Sequence, residues 1–434
     1  MRDIAVTLVV GYLLTRILKY PWIGVLTYAW VSIFQPHKHA FGFALSQPYA
    51  LLIALTTIAS MIMHQKEVKF PVNGFTILLF MLPLWMSITT MFALMPDAAA
   101  DQWVNVMKVF IFALVAAALL RTRKHIHSLV WVLVGSVGFY GVKGGLFTLT
   151  TGGGEKVFGP PGSSFISDNN AIAVALTMVI PLMYYLSTTL PRTWMKLATY
   201  GAMGLSGIAV LGSQSRGAFL AIGVTTLFLW LKSDKKILTG LLLVILIPVA
   251  IGFMPETWEK RMKTTETYDE DMSAQGRLNS WQAAINIAND RPLVGGGFEL
   301  YSYKVWAKYA PNPLFLNTAH SIYFQMLGEH GWLGLALFLT LGFMTWVTAG
   351  RIVRASRNRP DCAWAVTLAK SIQVSLIGYA SGGAFVNISY WDLPYYEVLI
   401  VMVAYQLVAP KPTAWRTPTP VPARGAEPKP SRAE

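Results

Sequence analysis

The chain has 434 residues, 54% of them hydrophobic and only 13% charged, with a mean hydropathy of +0.48. Soluble domains carry about a quarter charged residues, so this composition excludes an ordinary soluble globule and defines an integral membrane protein. The formal charge of +14 does not point to nucleic acid, because the positives lie in short loops between apolar runs, and a lone Cys362 excludes internal disulfides and cysteine metal sites.

The N-terminus is apolar from Ile4 and lacks a small-residue cleavage site, which reads as an uncleaved span. Apolar segments follow at about 4–18, 22–35, 47–63, 73–94, 105–120, 128–148, 170–190, 196–212, 216–231, 237–255, 318–350, 364–386 and 389–409. The first two are short and broken at Lys19-Tyr20-Pro21, so about twelve crossings are expected. The alternation of a membrane barrel is absent, which leaves an all-α polytopic bundle.

Basic residues bunch at Arg121/Arg123/Lys124, Arg192/Lys196, Lys232/Lys235/Lys236 and Arg351/Arg354/Arg357/Arg359, which the positive-inside rule assigns to the cytoplasm. Alternation then divides the chain into N-terminal transmembrane helices (1–255), a large external loop (256–317), C-terminal transmembrane helices (318–409) and a cytoplasmic tail (410–434). The tail is rich in Pro, Ala and Arg and is expected to be disordered. The turn at 212–217 and the Gly-rich stretch from Thr151 to Asn170 fall on the same outer face as the large loop.

Most residues with chemistry to offer converge on that face. His320 opens the last long apolar segment, where a neutral imidazole is suited to general-base work near neutral pH. The alternative is an interfacial histidine satisfied by backbone. His330 shares its segment but stands about 15 Å further along a helix, so the two cannot share one metal. Arg216, in Ser215-Arg216-Gly217, is held at membrane depth by the short turn between two apolar helices; its fork fits phosphate, and the alternative is snorkelling to a headgroup.

Arg277 heads a segment in which Leu278, Trp281, Ile285 and Ala288 recur at helical spacing, predicting an amphipathic helix with Arg277 in its first turn. A cation opposes the helix dipole there, so an anionic ligand would account for it, and an exposed loop arginine is the plainer reading. Lys143, in Gly141-Val142-Lys143-Gly144-Gly145, is an intramembrane lysine near an outer helix end, open to a functional or a snorkelling reading. The 151–170 stretch is either a substrate entrance or a plain loop whose Asp168 caps the next helix. Glu329 is a carboxylate within a span, whereas most acids lie in loops or at helix ends, which weighs against an ion-coupled transporter. The run Asp269-Glu270-Asp271 reads as a solvated loop rather than a cation site. No phosphate-cradling or dinucleotide motif is present, so no cofactor is expected and the energy of reaction must arrive in the substrate.

His320-Ser321, then nine residues, then Gly331-Trp332-Leu333-Gly334 resembles the histidine helix of bacterial O-antigen ligases. Ser215-Arg216-Gly217 and the segment from Arg277 through Trp281 to Pro292-Leu293-Val294-Gly295 resemble the same superfamily, which includes O-antigen polymerases. The resemblance is most specific over about 200–345; the N-terminal half is similar to a branch described as O-glycosylation ligases, mainly through hydropathy and Lys143-Gly144-Gly145. The resemblance implies a metal-independent inverting glycosyltransferase of GT-C type with one large periplasmic loop, in the bacterial inner membrane. It would move a glycan from undecaprenyl diphosphate to a sugar hydroxyl of lipid A core, with membrane lipids as surroundings and no nucleotide. By the same resemblance His320 matches the essential histidine, and Arg216 and Arg277 match essential arginines; Lys143 joins them for the diphosphate on physical grounds alone. The competing readings are an O-antigen polymerase, a protein O-glycosylation ligase, and a lipid-linked glycan transporter.

Overall fold

A computed structural model describes residues 1–162, 164–233 and 272–409, with positions 236, 237, 240, 241, 244, 248 and 252 between them. The expected span 237–255 lies largely outside the described residues, and the acidic run 269–271 and the tail 410–434 lie wholly outside them.

Among the described residues the structure is helical and without strands. In chain order the helices are α1 (Arg2–Lys19), α2 (Pro21–Phe34), α3 (Tyr49–Met63), α4 (Gly74–Met91), α5 (Pro96–Leu119), α6 (Arg123–Thr150), α7 (Asn169–Thr189), α8 (Thr193–Gly212), α9 (Arg216–Lys232), α10 (Met272–Asp290), α11 (Tyr303–Tyr309), α12 (Ile322–Ser356), α13 (Ala363–Gly382) and α14 (Asp392–Val408). Five of them, α4, α5, α6, α7 and α12, are long and apolar enough to cross a membrane. Helix starts follow side-chain chemistry. Asn73 and Thr76 form a capping box on α4, while Asp168, Ser215 and Ser302 accept from first-turn amides of α7, α9 and α11.

α7 and α14 are buried on nearly every face and form the centre of the bundle. Large apolar side chains such as Leu8, Leu51, Leu55, Ile62, Phe80 and Leu197 point outward, as a hydrocarbon solvent requires. α6 and α8 approach closely through small residues: a Cβ on Gly145 would lie 2.2 Å from the Leu205 carbonyl oxygen. The glycines beside Lys143 therefore have a packing role.

Contacts sort the connecting segments onto two ends. At one end Asp3 Oδ1 accepts from Gly42 N at 3.0 Å, and a Cβ on Gly162 would meet the Lys38 stem at 3.6 Å. There also Gln214 Nε2 donates to Gly153 O at 3.1 Å, and Asn169 Nδ2 to Ser213 O at 2.9 Å. Ser321 N donates to Asn387 Oδ1 at 3.1 Å, and Gly217 stands against Phe385. At the other end Trp22 stacks on His125, Arg123 lies over Trp364, and Arg359 Nη1 donates to Val408 O at 2.9 Å. This second end carries the basic loops.

One expectation needs correction. The segment 318–350 is not one regular helix: α12 begins at Ile322 and breaks at Gly331, whose φ is 68° and ψ −172°. The described part of 256–317 packs against that break. Its Pro292–Gly297 turn inserts into the break, where Gly296 N donates to Gly328 O at 2.7 Å and Gly297 N to Glu329 O at 2.8 Å. Trp332 N in turn donates to Pro292 O at 2.9 Å, so the backbone groups freed by the break are satisfied without water.

Candidate active site at the start of α12

His320 lies in the left-handed region with φ 43°, a conformation that costs a non-glycine residue about 1–2 kcal/mol. Both neighbours hold it there. Ala319 O accepts from Trp281 Nε1 at 2.7 Å, and Ser321 N is fixed by Asn387 as described. Trp281 also stacks on Phe324 of α12 at 4.8 Å. A backbone pinned on both sides fixes where the imidazole stands, which is what a positioned base needs. The ring is half-buried, and among the described residues it makes no hydrogen bond.

α10 supplies the second member. Asn279 Nδ2 donates to Asn312 O and Phe315 O at 2.9 and 3.0 Å, and Ser280 Oγ donates to Asn317 O at 2.9 Å. These bonds stitch α10 to the strand of chain that leads into His320. Arg277 sits on this helix close enough for its charge to act on His320. The described α10 begins by Met272, so Arg277 lies beyond the first turn, contrary to expectation. The buried face is shifted from the expected stripe: Ala288 is buried as expected, but Leu278 is exposed at 38%, while Asn279, Ser280, Ala283, Ala284 and Ile287 are buried. Polar bonds to 312–317 select that face rather than the apolar stripe.

Arg216 is the first residue of α9, half-buried behind its Ser215 cap, on the end that holds His320. The link runs through neighbours: Gly217 packs on Phe385, and Asn387 holds Ser321. Asp168 caps α7, as one reading of the 151–170 stretch expected, with Oδ1 accepting from Asn170 N at 2.8 Å and Ala171 N at 3.1 Å. It also stands within electrostatic reach of His320. Burial first, then Arg277, hold the His320 pKa below its ordinary value of 6.5, while Asp168 opposes them. The imidazole is therefore neutral at pH 7, the form in which it can accept a proton.

Lys143 is at the same end but stands apart. It is exposed on α6, and its charge acts on His39. A buried network missed by the sequence reading occupies the α12 break. Thr89 Oγ1 meets His330 Nδ1 at 2.7 Å, His330 Nε2 meets Tyr390 OH at 2.9 Å, and Tyr390 OH bonds Glu329. Glycines flanking Gly328-Glu329-His330-Gly331 were the available signal that two polar residues there sit inside a backbone crossing. Asn387 and Asp168 were also not assigned to the site, because their proximity to His320 is purely tertiary.

These features define a multi-pass helical membrane protein in which a titratable residue, His320 beside Arg277, stands at the end of the bundle opposite the basic loops. Residues 201–339 match a family model described as O-Antigen ligase, and they contain Arg216, Arg277, His320 and the Gly331 break. The chain thus carries an O-antigen ligase family domain over those residues. Residues 1–190 match a family of unknown function (DUF5935), and no curated protein matches the chain.

Proposed function

We propose that the protein is an O-antigen ligase, an inverting glycosyltransferase that moves a polysaccharide from undecaprenyl diphosphate to a sugar hydroxyl of lipid A core at the periplasmic face of the inner membrane. The observation that carries this reading is the pinned, neutral His320 beside Arg277, with Arg216 opening α9 on the same end. The positive-inside rule supports a periplasmic assignment for that end, because the basic loops gather at the other.

In this reading the acceptor hydroxyl gives its proton to a His320 ring nitrogen as its oxygen forms a bond to the anomeric carbon. The bond from that carbon to the diphosphate oxygen breaks on the opposite face, which inverts the configuration. The electron pair leaves with the lipid diphosphate, and the Arg216 and Arg277 guanidinium groups stabilise its growing charge. Lys143, whose charge acts on His39, is not assigned to this diphosphate.

The deciding experiment supplies purified protein with the lipid-linked glycan, with and without lipid A core, in excess EDTA. Glycan appearing on the core, undiminished by the chelator, supports the ligase reading. Longer lipid-linked glycans formed without core make the protein a polymerase instead, and loss of transfer restored by magnesium or manganese removes the metal-independent mechanism.

A further inference from the structure

A second polar cluster stands at the His320 end, in the N-terminal half. α2 leaves the bundle through Gln35 in the left-handed region, φ 52°, and the short turn Pro36–His39 lays His39 against α6. Tyr140 OH donates to Phe34 O at 2.8 Å, and the 2.6 Å contact between Tyr140 OH and His39 Nε2 therefore has the ring nitrogen as donor. Lys143 stands one turn along α6 from Tyr140. Arg2 reaches the same place, with Nη1 donating to His39 O at 3.4 Å and its guanidinium over Phe41. The Lys38 stem lies against Gly162.

Two permanent cations, Arg2 and Lys143, thus act on one imidazole, and Lys38 precedes it in the chain with its stem on Gly162. Burial, with Lys143 and Arg2, holds His39 below its ordinary value, so the ring adds no charge at pH 7. Among the described residues Arg2, Lys38 and Lys143 form no salt bridge. The neighbouring carboxylate Asp3 accepts from the Gly42 and Ala44 amides at 3.0 and 3.1 Å. On α6 the exposed residues Phe139, Lys143 and Leu146 form an i, i+4, i+7 stripe, so the lysine punctuates a lipid-facing apolar face.

We propose that Arg2, Lys38 and Lys143 form an anion site, separate from the His320 centre, that holds the phosphate of a membrane lipid whose chains lie along Phe139 and Leu146. Such a site would fix an anionic lipid on the outer rim of the N-terminal half. It does not depend on the transfer chemistry.

The test uses the full chain, equilibrated with vesicles of phosphatidylcholine containing phosphatidylglycerol, extracted in neutral detergent and weighed by native mass spectrometry. Wild-type protein retains phosphatidylglycerol. Lys38→Ala and Lys143→Ala each reduce retention about fivefold, and the double variant reduces it further. Lys143→Arg restores it, and Lys304→Ala, an exposed lysine of α11 outside the cluster, leaves it unchanged. Elution volume and thermal midpoint check that each variant is folded. Vesicles in which lipid A replaces phosphatidylglycerol separate two sources of the same phosphate: stronger retention of lipid A supports a phosphoglycolipid occupant, and stronger retention of phosphatidylglycerol supports a phospholipid. Retention unchanged in the folded double variant, or lost equally in Lys304→Ala, overturns the site. Because the readout is lipid mass, failure of the transfer reading leaves it intact.

Discussion

His320 and His330 flank the first half of the same broken helix, yet their surroundings are opposites. His330 is 0% exposed and both ring nitrogens are engaged, one by Thr89 and one by Tyr390. His320 is half-buried, its backbone is held at positive φ by contacts on either side, and its ring makes no hydrogen bond among the described residues. An imidazole with both nitrogens bonded internally cannot take a substrate proton without breaking its network. One with its nitrogens open and its backbone fixed can. The role of a titratable residue in a membrane bundle is thus set less by its depth than by what its neighbours leave available.

The sharpest way to break this contrast is to remove each ring in turn. His320→Ala is expected to lower glycan transfer by about 10²–10⁴-fold, with abundance and thermal midpoint close to wild type. His330→Ala is expected to act mainly on stability, at a cost of about 1–3 kcal/mol for the partners it strands, read from unfolding in detergent. If His330→Ala ended transfer in a stable protein while His320→Ala did not, the assignments would be reversed.

The arginines come next. Arg277→Ala and Arg216→Ala should each cost about 10²–10³-fold in transfer, the usual loss for one charge-stabilising donor. Arg277→Lys should recover only part of it, because an ammonium lacks the planar fork that meets two phosphate oxygens. Wild-type rates and donor affinity in both alanine variants would remove the diphosphate site and leave His320 without an electrostatic partner for the leaving group.

How much of this was legible in the sequence follows from where each signal is encoded. The start of α9 was readable because Ser215 is a local cap and Arg216 follows it directly. The grouping of Arg216, Arg277 and His320 on one end was readable because loop charge orients a bundle. The helix containing Arg277 was placed too late. Gly276-Arg277 resembled a start, but a Cβ on Gly276 would come within 3.0 Å of Asn317 Nδ2, so that glycine serves close approach inside a helix. The break at Gly331 was marked only by the glycines around Glu329-His330, because the run is apolar on either side and the geometry of the break comes from the distant Pro292–Gly297 turn. The separation of Lys143 from His320 was hidden for the same kind of reason, since it depends on where the chain leaving α2 lands on α6.

That break offers a smaller, purely structural test. A Cβ on Gly331 would sit 2.4 Å from the Leu293 carbonyl oxygen, and the residue already requires φ 68°. Gly331→Ala should therefore cost about 2–4 kcal/mol, combining left-handed strain with displacement of the inserted turn. Gly342→Ala, on the same helix with nothing near its Cβ position, should not destabilise. Equal stability of the two variants would mean that the inserted turn does not hold the break.

The finest effect is a shift in pH dependence, and its sign is fixed by the groups around His320. The base must be neutral, so transfer falls as pH drops through the His320 pKa, and that acid limb should lie below 6.5 because burial and Arg277 both disfavour the imidazolium. Arg277→Gln removes a neighbouring cation, so the limb should move to higher pH even as the overall rate falls. Asp168→Asn removes the carboxylate that favours the imidazolium, and asparagine still caps α7, so the limb should move to lower pH with the helix intact. The profile of kcat/KM reads both displacements in the free enzyme. Opposite shifts from the two variants tie the limb to His320; a limb that stays in place in both belongs to another group, and the imidazole at the start of α12 would then serve to bind the acceptor rather than to deprotonate it.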